Sequence, residues 1–144
     1  MWKTYASLIR KYPKLTLQEE RRLIRYAKKQ KEKADELVLR HISFLIFRIS
    51  KRTFPQYIAR FGEDILSQGI FLLYEKIKTY NLRYYDKEGN FIPVRFVSYI
   101  WKATDGLILA SLKKELEKEK RHDSLDWERF DYEDNSLQMQ ESVN

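Results

Sequence analysis

The sequence predicts an all-α fold of four to five helices that ends in a flexible acidic C-terminal segment. Three observations carry that expectation. Four glycines and three prolines among 144 residues leave few turn signals, which favours long helices over many short strands. Apolar residues recur at spacings of three and four along most of the chain, the period of a helix with one buried face. Charge then reverses: residues 1–121 hold 27 Lys/Arg against 14 Asp/Glu, whereas residues 122–144 hold one Arg against seven acids. A helical domain over 1–121 and an acidic tail over 122–144 follow.

The first helix opens after Leu15, with Thr16 as N-cap and Glu19 as its capping-box partner. Leu17, Leu23, Ile24 and Ala27 form its apolar face, and the charged stretch 28–33 follows. One longer helix is expected next, because Leu37, Val38, His41, Ile42, Leu45, Ile46 and Ile49 keep the same period. It stops near Thr53, and residues 54–62 are expected to be a short connection with room for one helical turn. Glu63 and Asp64 sit where acids favour the start of a helix. Ile65, Leu66, Gly69, Ile70, Leu73 and Ile77 would be its buried stripe, with Gly69 marking a close helix–helix contact because glycine there costs about 1 kcal/mol against alanine.

Residues 80–92 break the period and contain the turn signal Lys87-Glu88-Gly89-Asn90. Pro93 suits the first turn of a last helix. That helix would bury Phe96, Ile100, Ala103, Leu107 and Ala110 and fray after Leu112. Residues 113–121 are charged and helix-compatible, and the acids beyond them favour irregular structure.

Composition narrows function. Without cysteine there are no disulfides or thiolate metal sites. The N-terminus has no signal-peptide core, and no run reaches a membrane span, so the expected location is cytoplasmic, without a membrane partner. Two histidines, His41 and His122, lie on different segments, and the glycines form no phosphate loop. No catalytic constellation, metal site or cofactor is expected, and the chain reads as a non-enzyme. His41, on an apolar face, reads as a satisfied core or boundary residue.

The basic body suits a polyanion, because each neutralised phosphate releases counterions; a solvated lysine-rich helical surface fits the same charge. Tyr80, Tyr84, Tyr85 and Phe91 are interleaved with Arg83, Lys87 and Arg95, ahead of Ser98, Tyr99, Trp101 and Lys102. Rings among cations can stack unpaired bases while gripping the backbone. A loop folding its tyrosines onto the core fits the same residues.

Four segments, in order, resemble bacterial sigma factors. Leu15–Glu20 resembles the L-T-x-E-E-E start of the segment before region 2. Residues 42–52, I-S-F-L-I-F-R-I-S-K-R, resemble the family's first core helix. E-D-I-L-S-Q-G-I-F-L-L-Y from Glu63 resembles the D-L-x-Q-E-G-x-x-G-L helix. Phe96, Ser98 and Tyr99 resemble its F-x-S/T-Y/W helix. The resemblance implies docking on the clamp helices of core RNA polymerase through Asp64, Ser67, Gln68, Ile70 and Tyr74. It also implies that single-stranded non-template promoter DNA of the minus-ten element lies across Tyr80, Arg83, Tyr84, Tyr85, Lys87, Arg95, Ser98, Tyr99, Trp101 and Lys102.

The departures are specific. Gln68 stands where glutamate is usual and Leu72 where a second glycine is usual. The inter-helix loop is longer than typical. Lys102 and Ala103 occupy the places of the tryptophan pair of primary sigma factors, and Gly106 that of a base-reading glutamine. The pattern resembles an alternative or divergent sigma factor, in which fold and polymerase contact outlast the promoter read.

In the tail, S-L-D and Y-E-D-N-S-L resemble the acidic finger of the region 3 to 4 linker. The resemblance implies that Asp126, Asp131, Glu133 and Asp134 enter a polymerase channel; a solvating tail is the simpler account of its charge. Nothing resembles the region 4 helix-turn-helix, which leaves a place for a second protein that binds the upstream element. A polymerase-binding adaptor that does not melt promoters, and a helical single-strand binder without polymerase, are the competing functions.

Overall fold

A computed structural model describes residues 12–122. Among these residues there are five helices and no strand: α1 (Leu17–Ala27), α2 (Lys31–Arg40), α3 (Ile42–Arg52), α4 (Pro55–Thr79) and α5 (Phe96–His122). The fold is all-α, as its composition predicts.

The capping box opens α1 as expected. Thr16 N–H donates to Glu19 Oε1 at 3.0 Å, and Glu19 N–H donates to Thr16 Oγ1 at 3.2 Å. Leu23, Ile24 and Ala27 are buried, and so is Glu20.

The expected single helix over residues 37–53 is two, α2 and α3, broken at His41 (φ −108°, ψ 6°). His41 N–H turns to Val38 O at 2.9 Å, one residue nearer than an α-helix requires. The imidazole Nδ1 takes Leu37 O instead, at 2.8 Å. Apolar spacing on both sides of the break stays at three and four, so periodicity alone runs through it. The ring is buried against the edge of Phe96, with centroids 4.9 Å apart, the satisfied core role expected for it.

Residues 54–62 are not a connection. Pro55 occupies the first turn of α4, where its missing N–H costs nothing. Tyr57, Phe61 and Gly62 continue the buried stripe to Ile65 and Leu66, so aromatics fill places where aliphatics signalled the helix further on. Glu63 and Asp64 therefore sit mid-helix rather than at an N-terminus. A Cβ built on Gly69 would lie 3.3 Å from Leu45 Cδ2, so α3 and α4 touch closely there.

α5 starts at Phe96, three residues after Pro93, and continues through residues 113–122 without a break at Leu112. Its buried stripe is Phe96, Ile100, Thr104, Ile108, Ser111, Leu112 and Leu116 rather than Ala103, Leu107 and Ala110. Polar side chains occupy the seam because they are satisfied inside it. Thr104 Oγ1 donates to Ile100 O at 2.8 Å, and Ser111 Oγ to Gln68 Oε1 at 2.8 Å.

α4 and α5 run antiparallel, as the pairs Thr79–Tyr99, Gln68–Ser111 and Arg60–Glu119 record. α3 runs parallel to α5, pairing Phe44 with Trp101 and Arg48 with Asp105. α1 sits at the N-terminal end of α5. There Phe96 N–H donates to Glu20 Oε1 at 2.6 Å.

Candidate nucleic-acid interface

The link between α4 and α5 is a short hairpin built around Asp86. Its Oδ1 accepts Glu88 N–H at 3.0 Å and Asn90 N–H at 2.8 Å, and its own N–H donates to Asn90 O at 2.9 Å. Gly89 takes φ 84°, which a side chain would disfavour. The turn sets Tyr85 opposite Phe91 in a single antiparallel bridge, with ring centroids 5.6 Å apart.

α1 approaches this hairpin with a line of cations. Arg21, Arg22 and Arg25 share one face of the helix, and Lys28 and Lys29 follow just past its end. Arg21 stacks over Phe91 at 4.7 Å and donates from Nη2 to Leu82 O at 2.7 Å, fixing the hairpin to α1. Lys28 Nζ reaches Lys78 O at 3.0 Å, and burial there lowers its pKa. Between helix and hairpin lies an open cleft of about 740 Å³, lined by Arg21, Arg25, Leu82, Arg83, Tyr85 and Phe91. Guanidinium forks match phosphate oxygens two at a time, and exposed rings offer stacking faces.

The residues expected at a DNA surface divide into groups. Arg83 and Tyr85 line the cleft. Tyr84 and Lys87 are exposed on the hairpin outside that lining. Tyr80 is a core ring, 3% exposed, which donates its hydroxyl proton to Val94 O and has its pKa raised by burial. Arg95 is spent on Leu15 O at 2.7 Å and on Glu20 at 3.4 Å. Tyr99 shares a 2.7 Å hydrogen bond with Thr79 under Lys76. Ser98 and Lys102 are exposed on α5.

Trp101 belongs to a different surface. Two residues beyond Tyr99, it points the other way around α5, packing on Phe44 at 5.1 Å and under Arg48 at 4.7 Å. Arg48 is itself held by Asp105 through two hydrogen bonds of 2.8 and 2.7 Å.

The face expected to bind polymerase is also rearranged. Asp64 and Ser67 are exposed on α4, and Ile70 packs partly against the core. Gln68 turns to Ser111. Tyr74 donates to Asp35 on α2 at 2.5 Å, and burial together with that carboxylate pushes its pKa up to about 12. The residue that stands out is Phe71, 74% exposed in the middle of that face. Asp126, Asp131, Glu133 and Asp134 lie outside the described residues.

Arg21, Arg25 and Phe71 do not emerge from the sequence as site residues. A signal for the arginines was present, since 21, 25, 28 and 29 keep a helical spacing of cations. Phe71 had none, because an aromatic in a helix reads as core. No metal-ligand cluster, and no helix long and apolar enough to cross a membrane, occurs among the described residues. Comparisons with known protein families, curated proteins and solved structures find no match.

Proposed function

We propose that this chain is a sigma-like transcription initiation factor that binds core RNA polymerase and holds single-stranded non-template promoter DNA during melting of the minus-ten element. The observation that carries the DNA part is the cleft between α1 and the hairpin, with Arg25 and Arg83 beside Tyr85 and Phe91. An unpaired base stacks on the rings while the arginines take the flanking phosphates, at a gain of about 1–3 kcal/mol per stacked base. The polymerase part rests on the sequence resemblance and on the exposed strip Asp64, Ser67 and Phe71 of α4. An apolar anchor ringed by polar groups is the usual form of an interface hot spot.

A second function is favoured by one specific observation. Gln68 and Tyr74 are each hydrogen-bonded within the domain, to Ser111 and Asp35, which supports a single-strand-binding protein that works without polymerase. The deciding experiment mixes the full chain with core polymerase and a labelled promoter. Run-off transcript and permanganate-reactive thymines are expected. Binding of labelled single strands without any co-migration with polymerase would select the second function. Polymerase binding without strand binding would select an adaptor.

A further inference from the structure

Arg22, Arg25 and Arg83 share one condition. Among the described residues, none of their guanidinium groups has an ion-pair or hydrogen-bond partner. Arg21, Arg40, Arg48, Arg60 and Arg95 are each engaged. The three unpaired arginines line one continuous path. Arg83 and Arg25 border the hairpin cleft. Arg25 and Arg22 border the next hollow, about 440 Å³, which lies with Gln18 over the exposed face of α1. Arg22 then borders a third, about 500 Å³, between α1 and α2, with Tyr26, Gln30 and Lys33. Each hollow shares an arginine with the next.

Tyr26 closes this path with a second ring. Leu23, Ile24 and Ala27 take the buried face of α1, which leaves Tyr26 44% exposed. It lies one turn beyond Arg22, on the same side of the helix. The two acids of the third hollow are already matched. Glu36 pairs with Lys33 at 3.9 Å and with Arg40 at 3.1 Å, and Glu19 holds Thr16 N–H at 3.0 Å. The partner that fits is a polyanion whose charges repeat along its length with flat faces between them. A single nucleic-acid strand has both; an acidic peptide supplies the charge without the faces.

We infer that Tyr26 is a second base-stacking station, and that a strand seated in the hairpin cleft crosses α1 over Arg25 and Arg22 to reach it. This station rests on the cleft's being a single-strand site, and it extends the length of strand held there. A helix with its side chains is about 10–12 Å across, so the two stations take non-adjacent bases. Stacking on Tyr26 tolerates any base, because every base has a π-face.

Fluorescent oligothymidylates of about 4 and about 12 nucleotides, lengths that span the usual site sizes, test it against the full chain. Tyr26→Ala is expected to weaken the longer strand about ten-fold and to leave the shorter one, which depends on Tyr85, unchanged. Tyr26→Phe keeps the ring and should match the wild type. Arg22→Ala should flatten the salt slope of the longer strand alone by about one. Both side chains are exposed, so helical circular dichroism should not move. If the shorter strand binds and Tyr26→Ala leaves the longer one at wild-type affinity, the second station is overturned while the cleft stands. If neither strand binds, both fall. Equal loss at the two lengths places Tyr26 in the first site and also overturns a separate station. Weakened binding of a polyglutamate peptide, with the longer strand spared, assigns the third hollow to an acidic protein segment and overturns the inference.

Discussion

Glu20 of α1 accepts the first amide of α5. Phe96 N–H lies 2.6 Å from Glu20 Oε1, with Arg95 on the other oxygen at 3.4 Å. A buried carboxylate thus caps, from 76 residues away, a helix whose own N-cap side chain does not. Removing the acceptor leaves a buried donor unpaired, at a cost of about 1–3 kcal/mol. Glu20→Ala is expected to lower stability by about 2 kcal/mol in urea unfolding, and Glu20→Gln by less, since its amide oxygen still accepts.

The cleft separates two neighbouring tyrosines. Tyr85 lines it and Tyr84 does not. Tyr85→Ala is expected to weaken binding of a fluorescent single strand about ten-fold, or roughly 1.4 kcal/mol. Tyr84→Ala should be near neutral. Arg25→Ala is expected to weaken every sequence alike and flatten the salt slope by about one. Equal losses for both tyrosines would remove the cleft from the binding site.

Phe71 and Tyr74 divide binding from folding. Phe71→Ala is expected to leave the urea midpoint almost unchanged while lowering affinity for core polymerase at least ten-fold in native gels. Tyr74→Phe removes the donor to Asp35 and should cost about 1 kcal/mol of stability with little change in polymerase affinity. The reverse pattern would return Tyr74 to the contact surface.

Burial holds the His41 imidazole below its ordinary range, against a smaller upward pull from the Leu37 carbonyl and Glu20. The unfolded chain therefore takes up a proton first as pH falls. The stabilisation is complete above about pH 6.5, the unfolded value, and is lost as pH drops from there through the folded value. The melting temperature is expected to fall between pH 7 and pH 5.5, and His41→Gln should flatten that slope.

Two glycines in helices predict opposite signs. A Cβ on Gly106 meets nothing within 4 Å, so Gly106→Ala should gain up to about 1 kcal/mol of helix propensity. A Cβ on Gly69 presses on Leu45, which is 1% exposed and has little room to move. Gly69→Ala should therefore destabilise, by about 1–3 kcal/mol in urea unfolding.

The helices were legible wherever a cap or a clean apolar stripe announced them, as at Thr16 and Leu73. What stayed hidden were places where side-chain bonding overrode periodicity. His41 breaks a helix by giving its ring, rather than its amide, to Leu37. Thr104 and Ser111 fill a core seam as polar residues because each donates its hydroxyl proton within it. The long α4 was cut short because Tyr57 and Phe61 do the work expected of aliphatics. At the candidate interface, composition located the hairpin, but only tertiary contact brings Arg21 and Arg25 to it, and only that contact takes Tyr80 and Arg95 inward.

The Asp86–Asn90 turn has a consequence for how this interface can change. Successive residues of an extended strand point to opposite sides, and the Asp86 carboxylate with Gly89 sets which side Tyr85 takes. Inserting or deleting one residue before Asp86 would exchange Tyr84 for Tyr85 at the arginines without altering a helix. The turn is therefore an evolutionary dial: which residue of the loop faces the arginines can be reset by loop length alone, while the bundle that carries it stays the same.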